Sequence, residues 1–255
     1  MPAPGPFEIL LLTAVALVAG TVDAIAGGGG LLTVPAFLAA GLPPHLALGT
    51  NKGQSVFGSL AALVRFDRAG LIDRPRARFM FPLGVAGSLA GAALVLAIPP
   101  AVLRPVVLVL LAVAAAFLGF RRGPPRPRDV ETGGARRERW LVGATSLAIG
   151  AYDGFFGPGT GTFLIVAFVG LLGHGLARAS AEAKVVNFAS NLAALIPFAL
   201  RGTVVWRLAL PMAAAQLAGG WIGAHLAVRR GDALVRRVVV AVALALAAKL
   251  AWDMR

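Results

Sequence analysis

Apolar runs of membrane-spanning length recur along this chain, and they constrain its fold more than any other feature. A helix that crosses the hydrocarbon core of a bilayer needs about 20 mostly apolar residues. Only 14% of the 255 residues are charged, against about 25% in a soluble domain. The sequence therefore predicts an all-α polytopic membrane protein and argues against a soluble enzyme or a disordered chain. Eight such runs can be read, at roughly 7–26, 47–66, 79–98, 101–120, 140–157, 180–200, 208–228 and 235–252.

The net charge of +13 could suggest a nucleic-acid-binding protein, but the distribution of positive residues indicates otherwise. Sixteen of the 24 lysines and arginines lie in three short segments between apolar runs, at 65–78, 121–139 and 229–237. Cytoplasmic loops of helical membrane proteins carry such an excess of positive charge. We therefore expect these Arg-rich segments to be cytoplasmic, and we expect no nucleic-acid partner.

The segment 121–139 combines proline, glycine and charge and has no apolar period. Such a composition is typical of a linker between folded units. It predicts an N-terminal transmembrane repeat at 1–120, a charged cytoplasmic linker at 121–139, and a C-terminal transmembrane repeat at 140–255.

The two parts of the chain share an order of polar residues. Asp23 precedes a run of four glycines, and Asp153 precedes a second glycine-rich sequence at 157–161. Further along each part, Lys52, Ser55 and Ser59 align in a single register with Lys184, Asn187 and Asn191. Apolar residues often match by chance, whereas charged and polar residues in register seldom do. The sequence therefore predicts two internal repeats of four to five helical segments each.

The number of segments decides the symmetry of these repeats. Two shorter apolar runs, 31–41 and 162–173, follow the glycine-rich sequences. If they cross the membrane, each repeat has five passes and the repeats are inverted; with four passes each they are parallel. Only five passes place all three Arg-rich segments on one face, as cytoplasmic loops require. We favour the inverted arrangement and leave open a re-entrant hairpin with four passes, because run 31–41 is short for a crossing.

The glycine-rich breaks form the first candidate site. A helix does not continue well through so many glycines, and the freed backbone N–H groups are tolerated in a membrane only where protein or a wet cavity satisfies them. The half-length helices that follow would direct their positive N-terminal ends into such a cavity and favour an anion. The alternative is that the glycines only allow close helix packing. The candidate substrate-binding residues here are Gly28, Gly29, Gly30, Gly159, Thr160 and Gly161.

A polar face on one predicted helix of each repeat forms the second candidate site. Its residues stand at i, i+3 and i+7, on one side of a helix. A lysine deep in the bilayer costs about 2.5–3.5 kcal/mol on insertion scales, and binding a small anion between the repeats would account for that cost. The alternative is that both lysines snorkel to the membrane interface. The candidate substrate-binding residues here are Asn51, Lys52, Ser55, Lys184, Asn187 and Asn191.

Three acidic residues in or beside apolar runs are candidates for ion coupling: Asp23, Asp153 and Glu182. Acidic groups inside membranes carry protons in transporters or balance buried positive charges. The alternative is that they cap the backbone of the glycine-rich turns. The sequence does not discriminate between these interpretations.

Three sequences carry a resemblance to a known family. VDAIAGGGGLLTVPAFLAAGLPPHLALGTNKGQS (22–55) resembles the signature half of the TauE/SafE family of sulfite exporters, and GPGTGTFL (157–164) with AKVVNFASNLAAL (183–195) resembles its second half. The resemblance covers nearly the whole chain. In the second repeat Glu182-Ala183 stands where the first has Thr50-Asn51, so only the lysine carries over there. The resemblance implies a secondary transporter in the plasma membrane for small sulfur-containing anions such as sulfite or organosulfonates.

Two other function classes compete with a transporter. A channel or passive membrane protein has the same composition, and an intramembrane aspartyl protease would also place Asp23 and Asp153 in separate apolar spans. The residues before Asp23 are not the Gly-x-Gly that such proteases would have, and no nucleotide-binding loop occurs. With no cysteine and three scattered histidines, we expect no catalytic residues, no metal site and no cofactor. Homo-oligomerisation stays open.

Overall fold

The structure is a computed structural model that describes residues 5–120 and 134–253. Within these ranges the regular structure is entirely α-helical, which confirms the predicted class. The backbone of the last helix leaves helical geometry at Gly231 (φ 58°), so that helix has two parts joined at a kink. The helices are α1 Pro6–Ala26, α2 Gly30–Ala39, α3 Pro44–Arg68, α4 Arg74–Ala97, α5 Pro100–Phe120, α6 Ala135–Phe155, α7 Thr160–Leu172, α8 Leu176–Leu200 and α9 Trp206–Asp253.

The helix bounds recur along the chain. In the register that aligns Lys52 with Lys184, α3 and α8 begin at equivalent positions, as do α4 and α9. α3 and α8 also have the same length, 25 residues. Because α9 is interrupted at Gly231, five helical segments precede the linker and five follow it in the described part of the chain. These bounds are the ones that the predicted internal repeat requires, and the repeat itself stays a prediction.

Helices from opposite sides of the linker pack on each other at glycines. α4 packs along α6, and α1 packs along α9. A Cβ atom at Gly87 or Gly91 in α4 would overlap the carbonyl oxygen of Leu147 or Ala151 in α6, respectively. The backbones are therefore in direct contact, as small residues permit in membranes. Because the contact advances along both helices in the same direction, α4 and α6 are parallel.

The central pair, α3 and α8, runs antiparallel. A Cβ atom at Gly49 would lie 3.1 Å from the ring of Phe198, whereas one at Gly53 would lie 3.9 Å from Leu195. Later residues of α3 therefore contact earlier residues of α8. Opposite directions for equivalent helices are what inverted repeats would have.

The short helix α2 forms a hairpin with α1. Phe37 of α2 is fully buried in a cluster with Leu12 of α1, Ala47 of α3 and Leu208 of α9. These residues lie near the starts of α1, α3 and α9, so α2 returns to the end of the bundle at which α1 begins. With ten residues, α2 is about 15 Å long, half a bilayer core. α1 and α2 therefore form a hairpin that begins and ends at the same end of the bundle, and α3 and α8 run in opposite directions. The choice between four and five passes in each repeat stays a prediction.

The Arg-rich segments meet at one end of the bundle. Arg76 is ion-paired with Glu138, the Nε of Arg65 donates to Nδ1 of His225 at 3.2 Å, and the amide of Ala177 donates to Asp232 at 2.8 Å. We call this end, formed by the described parts of 65–78, 134–139 and 229–237, the arginine end.

The C-terminal end of the predicted linker, 121–139, is helical. Helix α6 begins at Ala135, so residues 135–139 are helical. Their arginines and glutamate are good helix formers. The remainder of the predicted linker, 121–133, lies outside the described residues.

The outer surface of the bundle suits lipid. In the described residues, three helices are long and apolar enough to cross a membrane: Pro6–Ala26, Arg74–Ala97 and Leu176–Leu200. The polar faces and arginines of other helices, such as α3 and α9, lower their mean hydropathy. Large apolar side chains are exposed around the bundle, among them Leu94, Val109 and Leu200. A soluble monomer rarely exposes so much apolar surface, so the membrane assignment is confirmed.

Candidate functional site

The turn between α1 and α2 is built on glycine. Gly27 and Gly28 have φ of 71° and 91°, a left-handed region that other residues seldom adopt. The turn returns to Asp23, whose Oδ1 accepts a hydrogen bond from the amide of Gly29 at 3.1 Å. Asp23 therefore holds the turn in shape, as the capping interpretation proposed.

The turn between α6 and α7 has the same design. Gly157 and Gly159 have φ of 98° and 88°, and the hydroxyl of Thr160 donates to Oδ1 of Asp153 at 3.1 Å. Tyr152 adds a hydrogen bond to the carbonyl of Pro158 at 2.7 Å. Each turn is thus held by the aspartate that precedes it.

The two turns touch each other inside the bundle. A Cβ atom at Gly27 would overlap the backbone nitrogen of Thr162 and the backbone of Gly161. The hydroxyl of Thr162 donates to the carbonyl of Ala26 at 2.9 Å. The glycines therefore serve close packing as well as backbone conformation, and the halves of the chain meet at these turns.

Two ion pairs connect the halves crosswise. Nζ of Lys52 in α3 lies 2.8 Å from Oδ1 of Asp153 in α6. Nζ of Lys184 in α8 lies 2.6 Å from Oδ2 of Asp23 in α1. We call these the crossed pairs, because each lysine takes its counter-charge from the other half.

The lysines are buried and do not snorkel. The side chains of Lys52 and Lys184 are 1% and 0% exposed, and those of their partners Asp153 and Asp23 are 2% and 21% exposed. Oδ2 of Asp153 also accepts a hydrogen bond from Ser190. Burial of a charge requires such pairing and hydrogen bonding, which explains how these ammonium groups remain inside the bundle.

A small polar cavity of about 20 Å³ lies between the two turns. Both aspartates of the crossed pairs face it, whereas Lys52, Lys184 and Thr160 stand outside its lining. We call it the polar cavity. The other nine predicted binding residues line it, namely Gly28, Gly29, Gly30, Asn51, Ser55, Gly159, Gly161, Asn187 and Asn191.

Side-chain amides of the cavity are oriented by their neighbours. Oδ1 of Asn51 accepts from the hydroxyl of Thr33 at 2.7 Å and from Gln54 at 3.3 Å. Nδ2 of Asn191 donates to the carbonyl of Asn187 at 2.7 Å. In this orientation of the amide, the NH₂ group of Asn51 is left available to a ligand.

Gln216 was not among the residues predicted from the sequence. This residue of α9 lines the polar cavity and is 3% exposed. A Cβ atom at Gly20 or Gly58 would lie within 2.8 Å of Oε1 of Gln216, so glycines of α1 and α3 provide the space for its side chain. In the register that aligns Lys52 with Lys184, the equivalent of Gln216 is Gly84. Because that residue is not polar, the internal match between the two halves does not extend to Gln216.

Glu182 lies away from the polar cavity, at the arginine end. Its carboxylate is fully buried and lies 2.8 Å from Arg76, 2.9 Å from Nδ1 of His174 and 3.6 Å from Arg178. It therefore balances a positive cluster and is not part of the lining. Within residues 5–120 and 134–253, no group of three histidine or acidic side chains could bind a metal ion.

The comparisons with known proteins agree on one family. The family model for the sulfite exporter TauE/SafE matches residues 12–250. The chain is 38% identical to the "Probable membrane transporter protein ORF9" of Sinorhizobium sp, covering 97% of this chain and 94% of that protein. It is also 38% identical to the "Probable membrane transporter protein YfcA" of Escherichia coli strain K12, covering 97% and 91%.

A third relative, a "Probable membrane transporter protein" of Haemophilus influenzae, is 38% identical over 96% of this chain and 95% of its own length. No solved structure matches the chain at a significant level. The match to the family model and these full-length relatives agree with the helical, lipid-facing architecture. The chain therefore belongs to the TauE/SafE family of membrane transporters.

Proposed function

We propose that this protein is a secondary transporter of small anions, with sulfite or an organosulfonate as its cargo, and that the anion binds at the polar cavity. The crossed pairs carry this proposal, because they place two buried ammonium groups beside a cavity formed by both halves of the chain. The sulfur-containing cargo follows from the family's name. We further propose that the protein lies in the plasma membrane with the arginine end in the cytoplasm, as the positive-inside rule predicts.

The groups around the polar cavity suit an anion with several oxygens. α2 and α7 begin at Gly30 and Thr160, so the positive ends of two helix dipoles meet there. The amides of Asn51, Asn187 and Gln216 add uncharged donors. A sulfonate offers three acceptor oxygens and a single charge, so several moderate donors suit it better than one strong pair.

The cavity is too small for this cargo in the conformation described. A volume of about 20 Å³ is close to the minimum for one water molecule. Binding a sulfonate therefore requires the helices around the two turns to separate. We propose that the halves of the chain act as inverted repeats, which open the site alternately towards each face.

The charges around the cavity cancel, and this suggests coupling to protons. Two lysines and two aspartates form the crossed pairs, so an entering anion would add an unbalanced negative charge beside two carboxylates. Protonation of one aspartate would free its lysine for the anion and keep the site neutral. We propose that each monovalent anion moves together with one proton.

Of the two aspartates, Asp23 is the more accessible from solvent. Its side chain is 21% exposed, against 2% for Asp153, so water reaches it more readily. We expect wild-type protein to bind isethionate more tightly at acidic than at neutral pH, because protonation of Asp23 releases Lys184. Asn mimics the protonated carboxyl, so Asp23→Asn should bind with little pH dependence in a thermal-shift titration.

The matched control is Asp67→Asn, which removes a more exposed carboxylate paired with Arg74. It should keep the pH dependence of the wild type. Proton coupling through Asp23 is contradicted if Asp23→Asn retains the wild-type dependence.

A screen of purified protein tests the cargo class. Ligands that bind only the native state stabilise it, by about 2.7 kcal/mol at a concentration of 100 times Kd. We expect sulfite, taurine, isethionate or sulfoacetate to raise the Tm. The Tm measured in sulfate and in thiosulfate then shows the selectivity of the site among sulfur-containing anions. A response to acetate and other carboxylates alone would contradict the proposed cargo.

A channel is the second candidate function, and flux separates it from a carrier. In proteoliposomes, a carrier should show flux that saturates with anion concentration and responds to a pH gradient. The protease alternative loses support from the geometry, because each aspartate pairs with its own lysine, whereas a catalytic dyad shares one proton between two carboxylates.

A further inference from the structure

A large groove opens on the surface of the bundle near the arginine end, apart from the polar cavity. Its volume is about 570 Å³, and it lies between the last turns of α3 and the first turns of α4. Both helices pack on α8, which supplies Val185 to the lining. The walls are mostly apolar, with Leu63 from α3 and Phe81 from α4. We call this the arginine groove.

Three arginines stand at the groove, and two of them lack an acidic partner. Arg74 forms two hydrogen bonds to Asp67, at 3.2 and 3.0 Å. In the described part of the chain, no carboxylate pairs with Arg68 or Arg78, both of which are exposed. Arg68 lies over the ring of Trp221, with 5.5 Å between its guanidinium carbon and the ring centroid. The groove therefore carries a net positive charge that the protein does not balance.

We propose that the arginine groove binds an acidic phospholipid, with the phosphate on Arg68 and Arg78 and an acyl chain along the apolar walls. Guanidinium groups bind phosphate through paired hydrogen bonds, and basic pockets between membrane helices suit acidic lipid headgroups. A small hydrophilic anion would leave the apolar walls unused, so an amphiphile fits the groove better. This proposal does not depend on the transport function.

The arginines are not a consequence of the predicted repeat. In the register that aligns Lys52 with Lys184, the equivalents of Arg68, Arg74 and Arg78 are Leu200, Trp206 and Leu210. Leu200 and Leu210 are exposed apolar side chains. The three arginines of the groove therefore have no arginine at the equivalent positions of the second half, so the groove is particular to the arginine end.

Lipid titration of the purified full-length chain in a neutral detergent tests the proposal. Phosphatidylglycerol should raise the Tm in a saturable manner, and phosphatidylcholine should not. The variant Arg68→Gln/Arg78→Gln should weaken the apparent affinity for phosphatidylglycerol on the order of 30-fold, since each arginine near a lipid surface contributes about fivefold. The matched control is Arg136→Gln/Arg137→Gln, which removes two exposed arginines of the same end and should bind as the wild type does.

Two further measurements test the proposal even if the arginine variant folds poorly. Ala77→Phe narrows the groove, whose lining includes Ala77, and keeps every charge; it should also lose the saturable effect of phosphatidylglycerol. Inorganic phosphate should not stabilise the wild type. Equal binding by both arginine variants, an unaffected Ala77→Phe variant, or stabilisation by inorganic phosphate equal to that by the lipid would each overturn the assignment.

Discussion

Replacing Lys52 by methionine should abolish transport and markedly lower the free energy of unfolding. The ammonium group lies 2.8 Å from Asp153, whose side chain is 2% exposed. Without Lys52, the carboxylate remains buried beside Ser190 and Thr160 with no counter-charge. Removing one partner of a buried ion pair costs about 3–5 kcal/mol. Thermal unfolding of purified protein and anion flux in proteoliposomes measure the two effects.

A double variant separates folding from function. Lys52→Met/Asp153→Asn removes both charges; the amide oxygen can accept from one of the hydroxyls of Ser190 and Thr160, and the NH₂ group can donate to the other. Its stability should return to within about 1.5 kcal/mol of the wild type, because a neutral buried pair needs no compensation. Its anion flux should stay absent, since an ammonium group beside the cavity is missing.

Two results would contradict these expectations for Lys52. If the double variant carries anions at the wild-type rate, Lys52 serves folding and the proposed role in anion binding is wrong. If the single variant is as stable as the wild type, the pair is not buried as described.

Replacing Gly27 by alanine should prevent the protein from folding correctly. The φ of Gly27 is 71°, and a Cβ atom there would overlap backbone atoms of Gly161 and Thr162. Two backbones from opposite halves of the chain would have to move apart at the crossed pairs. We expect loss of the monodisperse peak in size-exclusion chromatography, or a free energy of unfolding reduced by more than about 4 kcal/mol, as for the most severe single substitutions.

Gly41→Ala is the matched control for that variant. Gly41 also has positive φ, 83°, but no atom lies within 4 Å of a Cβ built there. Alanine at Gly41 should therefore lower the free energy of unfolding only by the cost of a left-handed backbone conformation, about 1–2 kcal/mol. If the two variants lose the same stability, the contact between the two turns contributes nothing, and the proposed interface between the halves must be reconsidered.

Much of the local structure follows from residue order. The apolar runs predicted the helices because a chain in lipid must satisfy its backbone within each segment. Runs of glycine predicted breaks between α1 and α2 and between α6 and α7, because Gly27 and Gly157 adopt φ values that other residues avoid. Polar residues at i, i+3 and i+7 predicted a shared helix face, and Asn187 and Asn191 do line one cavity.

Other features depend on which helices meet. Lys52 and Asp153 are 101 residues apart, and no local pattern indicates that each lysine pairs with the aspartate of the other half. The role of Gln216 arises from Gly20 and Gly58 in two other helices, so its own sequence neighbourhood carries no sign of it.

Membrane residence, helix content and the positions of the breaks are local properties, because each depends on residues within one turn or one span. The crossed pairs, the size of the polar cavity and the hairpin of α1 and α2 are different. They depend on the packing of segments that lie far apart in the chain. The partner of a buried charge is therefore known only once the positions of both helices are known. Composition and periodicity therefore identify a membrane protein with a lysine on each of two polar helix faces, and the three-dimensional arrangement shows that both lysines are buried and neutralised across the interface.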